Sequence, residues 1–344
     1  MKPHAVFALA AFLETRRLQR SLRTPEDVAR HRERRLRAFF RHVPRAPFYA
    51  GMKPRRLEDL PIVDKAQVNA RFEAFNIAGV TADEAWAAIA EGRRVRGLIA
   101  GCSTGTSGNR GLFLASERER FVWLGVMLAK ALPDVLSRRH RVALVLPAAS
   151  ELYEAAPDSG RLALRFFDLR AGLAAWRDQL DAYRPDVIVA PPKILRALAE
   201  SPGALAPAQV FSGAEVLDPL DRAVIETTFG VTVREIYQAT EGLFGVACER
   251  GVLHLCEDTV AFEWEPVAGS RLVQPLVTDF TRRTQVMARY RMNDLLDFAE
   301  EPCACGSPLR AVRAIHGRQD DIFDLGALVT PDILRNAVVD ADRR

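Results

Sequence analysis

The chain has 344 residues, 49% of them hydrophobic and 27% charged, which is enough apolar material for an ordinary core and argues against disorder. Lys+Arg at 48 against Asp+Glu at 44 leaves a formal charge of +4, too near balance for the whole chain to be a nucleic-acid binder. Five cysteines in a chain of this length exclude a disulfide scaffold, and no stretch reaches the ~20 apolar residues of a membrane span.

At the N-terminus the apolar run Ala5 to Leu13 is interrupted by His4 and Glu14 and followed by Arg16, Arg17 and Arg20. That pattern suits an amphipathic helix better than a signal peptide, and it places the protein in the cytoplasm without membrane insertion. From Thr24 to about Phe48 a basic helix is expected, with Leu36, Phe39, Phe40 and Val43 on one stripe. The arginines of residues 30–45 interleave with Phe39 and Phe40, but a solvated basic face explains them and no nucleic-acid partner is expected. Pro44, Pro47 and Pro54 then break the chain, and Asp64 is placed to cap a helix Lys65 to Phe75.

Beyond residue 116 apolar runs alternate with helical ones. Strands are expected at Val142 to Leu146, Leu162 to Leu169, Val187 to Ala190, Gln209 to Ser212 and Val233 to Tyr237. Helices are expected at Glu117 to Leu132, Gly172 to Tyr183, Pro192 to Glu200 and Pro219 to Phe229. Such alternation predicts an α/β fold, a sheet covered by helices on both faces. From Val246 to Phe298 the pattern changes to consecutive strands, among them His254 to Trp264, Arg271 to Asp279 and Met287 to Arg291, which predicts a small antiparallel β subdomain. The division expected is an N-terminal helical region (1–80), an α/β nucleotide-binding core (81–245), a β-rich subdomain (246–316) and a hinge (317–344).

Ser103-Thr104-Gly105-Thr106-Ser107-Gly108-Asn109-Arg110-Gly111 packs hydroxyls and glycines into one loop that can offer N–H and O–H donors to phosphate oxygens. It is not a Walker loop, because no lysine follows its glycines, and alone it would read as a turn. Four further segments come after it in order: Ser212-Gly213-Ala214-Glu215, Tyr237-Gln238-Ala239-Thr240-Glu241, Tyr290-Arg291-Met292-Asn293-Asp294 and Gly317-Arg318-Gln319-Asp320-Asp321. Together the five segments resemble those of the acyl-adenylate-forming superfamily. Arg45-Ala46-Pro47-Phe48-Tyr49 and Leu60-Pro61-Ile62-Val63-Asp64-Lys65 resemble, within it, the phenylacetate-CoA ligase branch and its relatives that adenylate a deazaflavin coenzyme.

The resemblance implies the large N-terminal body of such an enzyme, ATP and Mg²⁺ as cofactors, a small carboxylic acid as substrate, and a thiol of CoA or of an acyl carrier protein as acceptor. Ser103, Thr104, Thr106 and Ser107 would hold phosphates, with Gly105 and Gly108 admitting the backbone. Thr240 would contact the α-phosphate and Glu241 would ligate Mg²⁺. Gly213, Ala214, Glu215, Tyr237 and Gln238 would line the adenine slot, Asp294 would accept the ribose hydroxyls, and Arg318 would reach ribose or phosphate. Where many members carry a lysine after the loop, this chain has Arg110 as the available positive charge. Val189 to Pro192, Phe211, Gly213, Tyr237 and Gly242 to Phe244 would wall an apolar slot for a flat or aromatic acid. The same resemblance leaves open adenylation of a phenolic hydroxyl on a coenzyme, and nucleotide binding without catalysis.

In this superfamily a smaller C-terminal lid domain carries a lysine that bridges acid and α-phosphate. About two dozen residues follow Asp321 and none is lysine, so the chain is expected to bind nucleotide and to adenylate poorly. Cys248, His254, Cys303 and Cys305 form a C-x5-H and a C-x-C-G pair, a donor set suited to structural zinc, with Cys256 as a rival ligand. Some phenylacetate-CoA ligase relatives carry zinc at a comparable place.

Overall fold

The computed structural model describes residues 4–103, 110–146, 160–321, 323–324 and 328–329. In chain order the helices and strands begin with α1 (Ala5–Ser21), α2 (Pro25–Phe40), α3 (Lys65–Ala70) and α4 (Ala82–Ala90), then β1 (Ile99–Cys102) and β2 (Leu112–Ala115). Next come α5 (Glu117–Ala131), β3 (His140–Leu146), β4 (Leu162–Asp168), α6 (Leu173–Tyr183), β5 (Val187–Ala190) and α7 (Pro192–Glu200). After these the chain forms β6 (Gln209–Gly213), α8 (Pro219–Phe229), β7 (Val233–Ala239), β8 (Gly242–Ala247), β9 (Leu253–Leu255) and β10 (Val260–Pro266). The last are β11 (Val273–Asp279), β12 (Tyr290–Arg291), β13 (Asp294–Phe298), β14 (Ala311–Arg318), β15 (Phe323–Asp324) and β16 (Leu328–Val329). No helix among the described residues is long and apolar enough to cross a membrane.

These elements fall into two compact units. The first comprises Met1–Arg23, Ser116–Cys256 and Cys303–Ser307. Its strands run in the order β9-β8-β7-β6-β5-β3-β4, parallel from β4 to β7 and antiparallel from β7 to β9. Side-chain alternation splits the sheet's burial between two faces. Ala143, Val145, Ile188, Ala190, Val210 and Val233 pack with Trp176 and Leu180 of α6, Leu195 and Leu198 of α7 and Ile225 of α8. The intervening Val142, Leu144, Val187 and Phe211 pack with Phe12 of α1 and Ala129, Ala131 and Leu132 of α5 or its end. Two covered faces are why these strands read as unbroken apolar runs in the sequence.

Helix α5 starts on a capping box in which the Ser116 hydroxyl accepts from the Glu119 N–H and Glu119 Oε2 accepts from the Ser116 N–H at 2.7 Å. It packs along α1 so closely that a Cβ on Gly125 would lie 2.2 Å from the Ala8 carbonyl oxygen. Glycine is required there.

The second unit comprises Thr24–Ala115, Glu257–Pro302 and Pro308–Arg344. Its strands run in the order β10-β11-β13-β14, all antiparallel, with β12 on β11, and β1 and β2 form a separate antiparallel pair. Helix α2 stops at Phe40, short of the expected Phe48, because Pro44 and Pro47 turn the next stretch of chain into the 3-10 turns Val43–Arg45 and Pro47–Tyr49. Asp64 caps α3 as expected, its Oδ1 accepting from the Gln67 N–H at 2.8 Å. That helix ends at Ala70, however, and Phe72–Phe75 is a 3-10 turn. Asn76 holds the turn, donating to the carbonyls of Phe72 and Val80 at 2.8 and 2.9 Å. The single strand expected over His254 to Trp264 is two, β9 and β10, separated by a turn at Glu257 and Asp258. Met287 to Arg291 pairs as a strand only at Tyr290 and Arg291.

Candidate nucleotide site and metal centre

In the second unit, β1 and β2 pair from Ile99↔Ala115 to Cys102↔Leu112 and present Ser103 and Gly111 to each other. The Ser103 N–H donates to the Gly111 carbonyl and the Gly111 N–H donates to Ser103 Oγ, both at 2.9 Å. This closes the base of the glycine-rich loop. Thr104, Gly105, Thr106, Ser107 and Gly108 lie outside the described residues. Asn69 fastens the same base from α3, donating to the Arg110 carbonyl at 2.8 Å. Nothing in the sequence singled out Asn69, because a side-chain staple to a backbone carbonyl leaves no pattern in spacing.

The same unit joins the last two sequence segments. In the β13–β14 pairing Asp294 stands directly across from Arg318. Asn293 Nδ2 donates to Asp320 at 2.7 Å, and the Gln319 N–H donates to the Asn293 carbonyl at 2.6 Å. Asp294 is half-buried and Arg318 exposed. A carboxylate with a guanidinium opposite it at a strand end can accept paired hydroxyls while the cation faces an anion. Arg291 is used differently, as a two-pronged partner of Glu265 at 2.6 and 2.8 Å, which holds that carboxyl below its ordinary pKa.

In the first unit, β6 ends in Ser212 and Gly213, and the next residue, Ala214, takes a left-handed backbone with φ of 69°. An alanine there is strained by about 1–2 kcal/mol, and Glu215 beyond it is exposed. Tyr237 on β7 is buried, its ring 5.4 Å from that of Phe244, and the β7–β8 register shifts between Tyr237 and Gln238. The tight β7–β8 turn carries Thr240 and the buried Glu241, whose Oε2 accepts from the Thr240 hydroxyl at 2.8 Å. Of the expected acid-slot walls, Ala190 and Phe211 belong instead to the two core faces. Alternation along β5 and β6 points them into covered layers.

Cys248, His254, Cys303 and Cys305, all in the first unit, converge so that their ligand atoms lie within 4.8 Å of one another. The Cys248 and Cys303 sulfurs are 3.9 Å apart, and Cys305 Sγ is 3.3 Å from His254 Nε2. A zinc ion with Zn–S of about 2.3 Å and Zn–N of about 2.0 Å in tetrahedral geometry spaces its ligands by roughly 3.6–3.8 Å. The donor set therefore fits that ion. Around the C-x-C-G turn, backbone N–H groups of Cys305 and Ser307 point at the sulfurs of Cys303 and Cys305, and Gly306 takes a φ of 76°. Cys256 is no rival. Strand β9 ends at Leu255, so Cys256 turns into the apolar cluster of Ala11, Val126, Leu243 and Val246.

No family model matches this chain, and no curated protein matches it by sequence. Solved structures do. An open conformation of 2-hydroxyisobutyryl-CoA ligase in complex with 2-HIB-AMP and CoA superposes with a TM-score of 0.67 at 21% identity, over 90% of this chain and 79% of that one. The same ligase in its postadenylation state gives 0.66 at 19% identity over 89% and 70%. In its thioesterification state it gives 0.63 at 20% identity over 90% and 72%. By its architecture, the chain has the fold of the N-terminal body of adenylate-forming acyl-CoA ligases.

Proposed function

We propose that the chain binds ATP and adenylates a small carboxylic acid, passing the acyl group to a thiol of CoA or of an acyl carrier protein. The observation that carries the reading is the cross-strand pair Asp294 and Arg318, supported by the Asn293–Asp320 bond. Two sequence segments singled out separately for the same nucleotide meet at one strand end. Asp294 would accept the ribose hydroxyls, and Arg318 would lie against ribose or phosphate. Thr240 and Glu241 offer a hydroxyl and a hard carboxylate oxygen for phosphate and Mg²⁺, the ion supplying neutralisation of phosphate charge when bound. The strained Ala214 backbone and the Tyr237 ring fit a slot for a flat base. The ring pair Tyr237 and Phe244 favours an aromatic acid. Cys248, His254, Cys303 and Cys305 would hold a structural Zn²⁺, with every ligand position filled by protein.

Calorimetric titration with AMP tests the nucleotide half of this reading. Saturable binding is expected, weakened about tenfold in Asp294→Ala, which corresponds to about 1.4 kcal/mol, with an unchanged melting temperature. Acid-dependent ATP–pyrophosphate exchange across aromatic and short aliphatic acids then tests the chemistry. Absence of AMP binding, or equal binding by the variant, would sink the assignment.

A further inference from the structure

Helix α1 has two faces with different fates. Ala11, Phe12 and Thr15 are buried in the first unit. On the other side Val6, Leu9 and Leu13 are 47%, 39% and 52% exposed, and Leu136 on the loop after α5 is 45% exposed. These are four of the seven exposed large apolar side chains among the described residues; Leu13 and Leu136 line one cavity, and Val6 and Leu9 continue the row of Leu13 along α1, which calls for a reason. Spacings of three and four carry the row onward to Arg16, Arg17 and Arg20. Phe12, Leu13, Arg16, Arg17, Arg20 and Ser21 form one wall of a cavity of about 470 Å³ whose other wall is Pro133 and Leu136.

The charge at this groove is one-sided. Arg17 and Arg20 are exposed and form no ion pair among the described residues, and Arg16 donates to the neutral Gln19 at 2.6 Å. Arg138 and Arg139, exposed on the same loop as Leu136, add to the positive sign. The carboxylate of that loop, Asp134, is committed to His140 at 2.9 Å. Glu14 is the single acidic residue of α1.

We infer that this groove docks an acidic helical segment of a separate protein. Along α1 the apolar half, Val6 to Leu13, and the basic half, Leu13 to Arg20, each span about 10 Å, so the surface matches a helix of about four turns. Such a helix would present apolar anchors at one end and carboxylates at the other, the helix-in-groove mode of recognition. A bilayer fits less well. The floor is concave, none of the four exposed apolar residues is aromatic, and the apolar and basic residues succeed one another along a single face, whereas an interfacial helix separates them around its axis. This docking goes beyond the adenylation reading and uses none of its residues.

The test uses a fluorescent helix-forming peptide of about 16 residues, with Leu at three-four spacing in one half and Glu in the other, beside its Lys-for-Glu isomer. Anisotropy should show the acidic peptide binding at least about tenfold tighter than the isomer, with the preference shrinking between ~50 and ~200 mM salt. Arg17→Glu/Arg20→Glu, on exposed positions, should remove the preference, Leu13→Ser should weaken binding, and AMP binding should be unchanged in both. Equal binding of the two peptides, full binding by the double variant, or sedimentation with phosphatidylcholine–phosphatidylglycerol vesicles without peptide binding would each overturn the inference.

Discussion

The two compact units solve the burial of polar groups in different ways. In the first unit, two apolar layers around a largely parallel sheet carry the fold, and polar chemistry is confined to a few closed sets. Buried Arg234 donates to the carbonyls of Ala247, Ala131 and Lys130 and to Gln209 while lying 4.6 Å over the Phe211 ring. The Cys248, His254, Cys303 and Cys305 cluster is another such set. In the second unit 3-10 turns follow α2 and α3, and long-range side-chain bonds help join its segments. Asn76, His31, His42 and Gln285 reach backbone groups, and the pairs Arg289–Glu263 and Arg291–Glu265 reach from β12 and the residue before it to β10, two strands that both pair with β11. Asp297, 4% exposed, is shared by Arg271, Arg313 and His316. Two of these bonds bridge segments more than two hundred residues apart, His31 to Asp258 and His42 to Arg283. A unit assembled from separate stretches of chain gains from such staples, because each unmade buried hydrogen bond costs about 1–3 kcal/mol.

The largest effect should come from breaking the closed donor set of the first unit. Metal analysis should return close to one zinc per chain, and Cys303→Ser or a strong chelator should lower stability by roughly 4 kcal/mol or more. An absent metal together with an unmoved melting temperature would reduce the cluster to a coincidence of four side chains. Next is a staple of the second unit. Asn76, fully buried, makes four hydrogen bonds to backbone within residues 72–80, and Asn76→Ala should cost about 3 kcal/mol by leaving those groups unpaired. A loss below about 1 kcal/mol in chemical denaturation would mean that the unit does not depend on its staples.

A smaller effect of opposite sign is expected at the β6 end. Ala214→Gly removes a side chain from a left-handed backbone and should stabilise by about 1 kcal/mol, while loosening the slot and weakening AMP binding. Stabilisation with unaltered AMP affinity would separate the strain from nucleotide recognition.

The smallest effect is in pH. Burial holds the His31 imidazole below its ordinary pKa, and its Nε2–H donates to the Asp258 carbonyl while Nδ1 has no hydrogen-bond partner among the described residues. The unfolded chain therefore takes up a proton first. Stability from neutral His31 is complete above about pH 6.5 and declines as pH falls through and below that value. His31→Gln should flatten this part of the stability profile, and an unchanged slope would assign the acid sensitivity to other groups.

The sequence alone determined the elements whose boundaries depend on local chemistry. Helices at Pro192–Glu200 and Pro219–Phe229 and the strand at Val187–Ala190 end where expected, because proline starts and apolar runs report directly on backbone and burial. The four proposed metal ligands were visible as a donor set, and the proposed nucleotide segments as an ordered series. Tertiary structure decided what those patterns could not encode. Leu255 ends β9, and this sends Cys256 to the core while leaving His254 among the cysteines. The β13–β14 register sets Asp294 across from Arg318, and alternation along β5 and β6 takes Ala190 and Phe211 out of the expected acid slot. Spacing along a chain fixes which residue types are available, but register and strand ends, set by packing between segments far apart in sequence, fix which of them face one another.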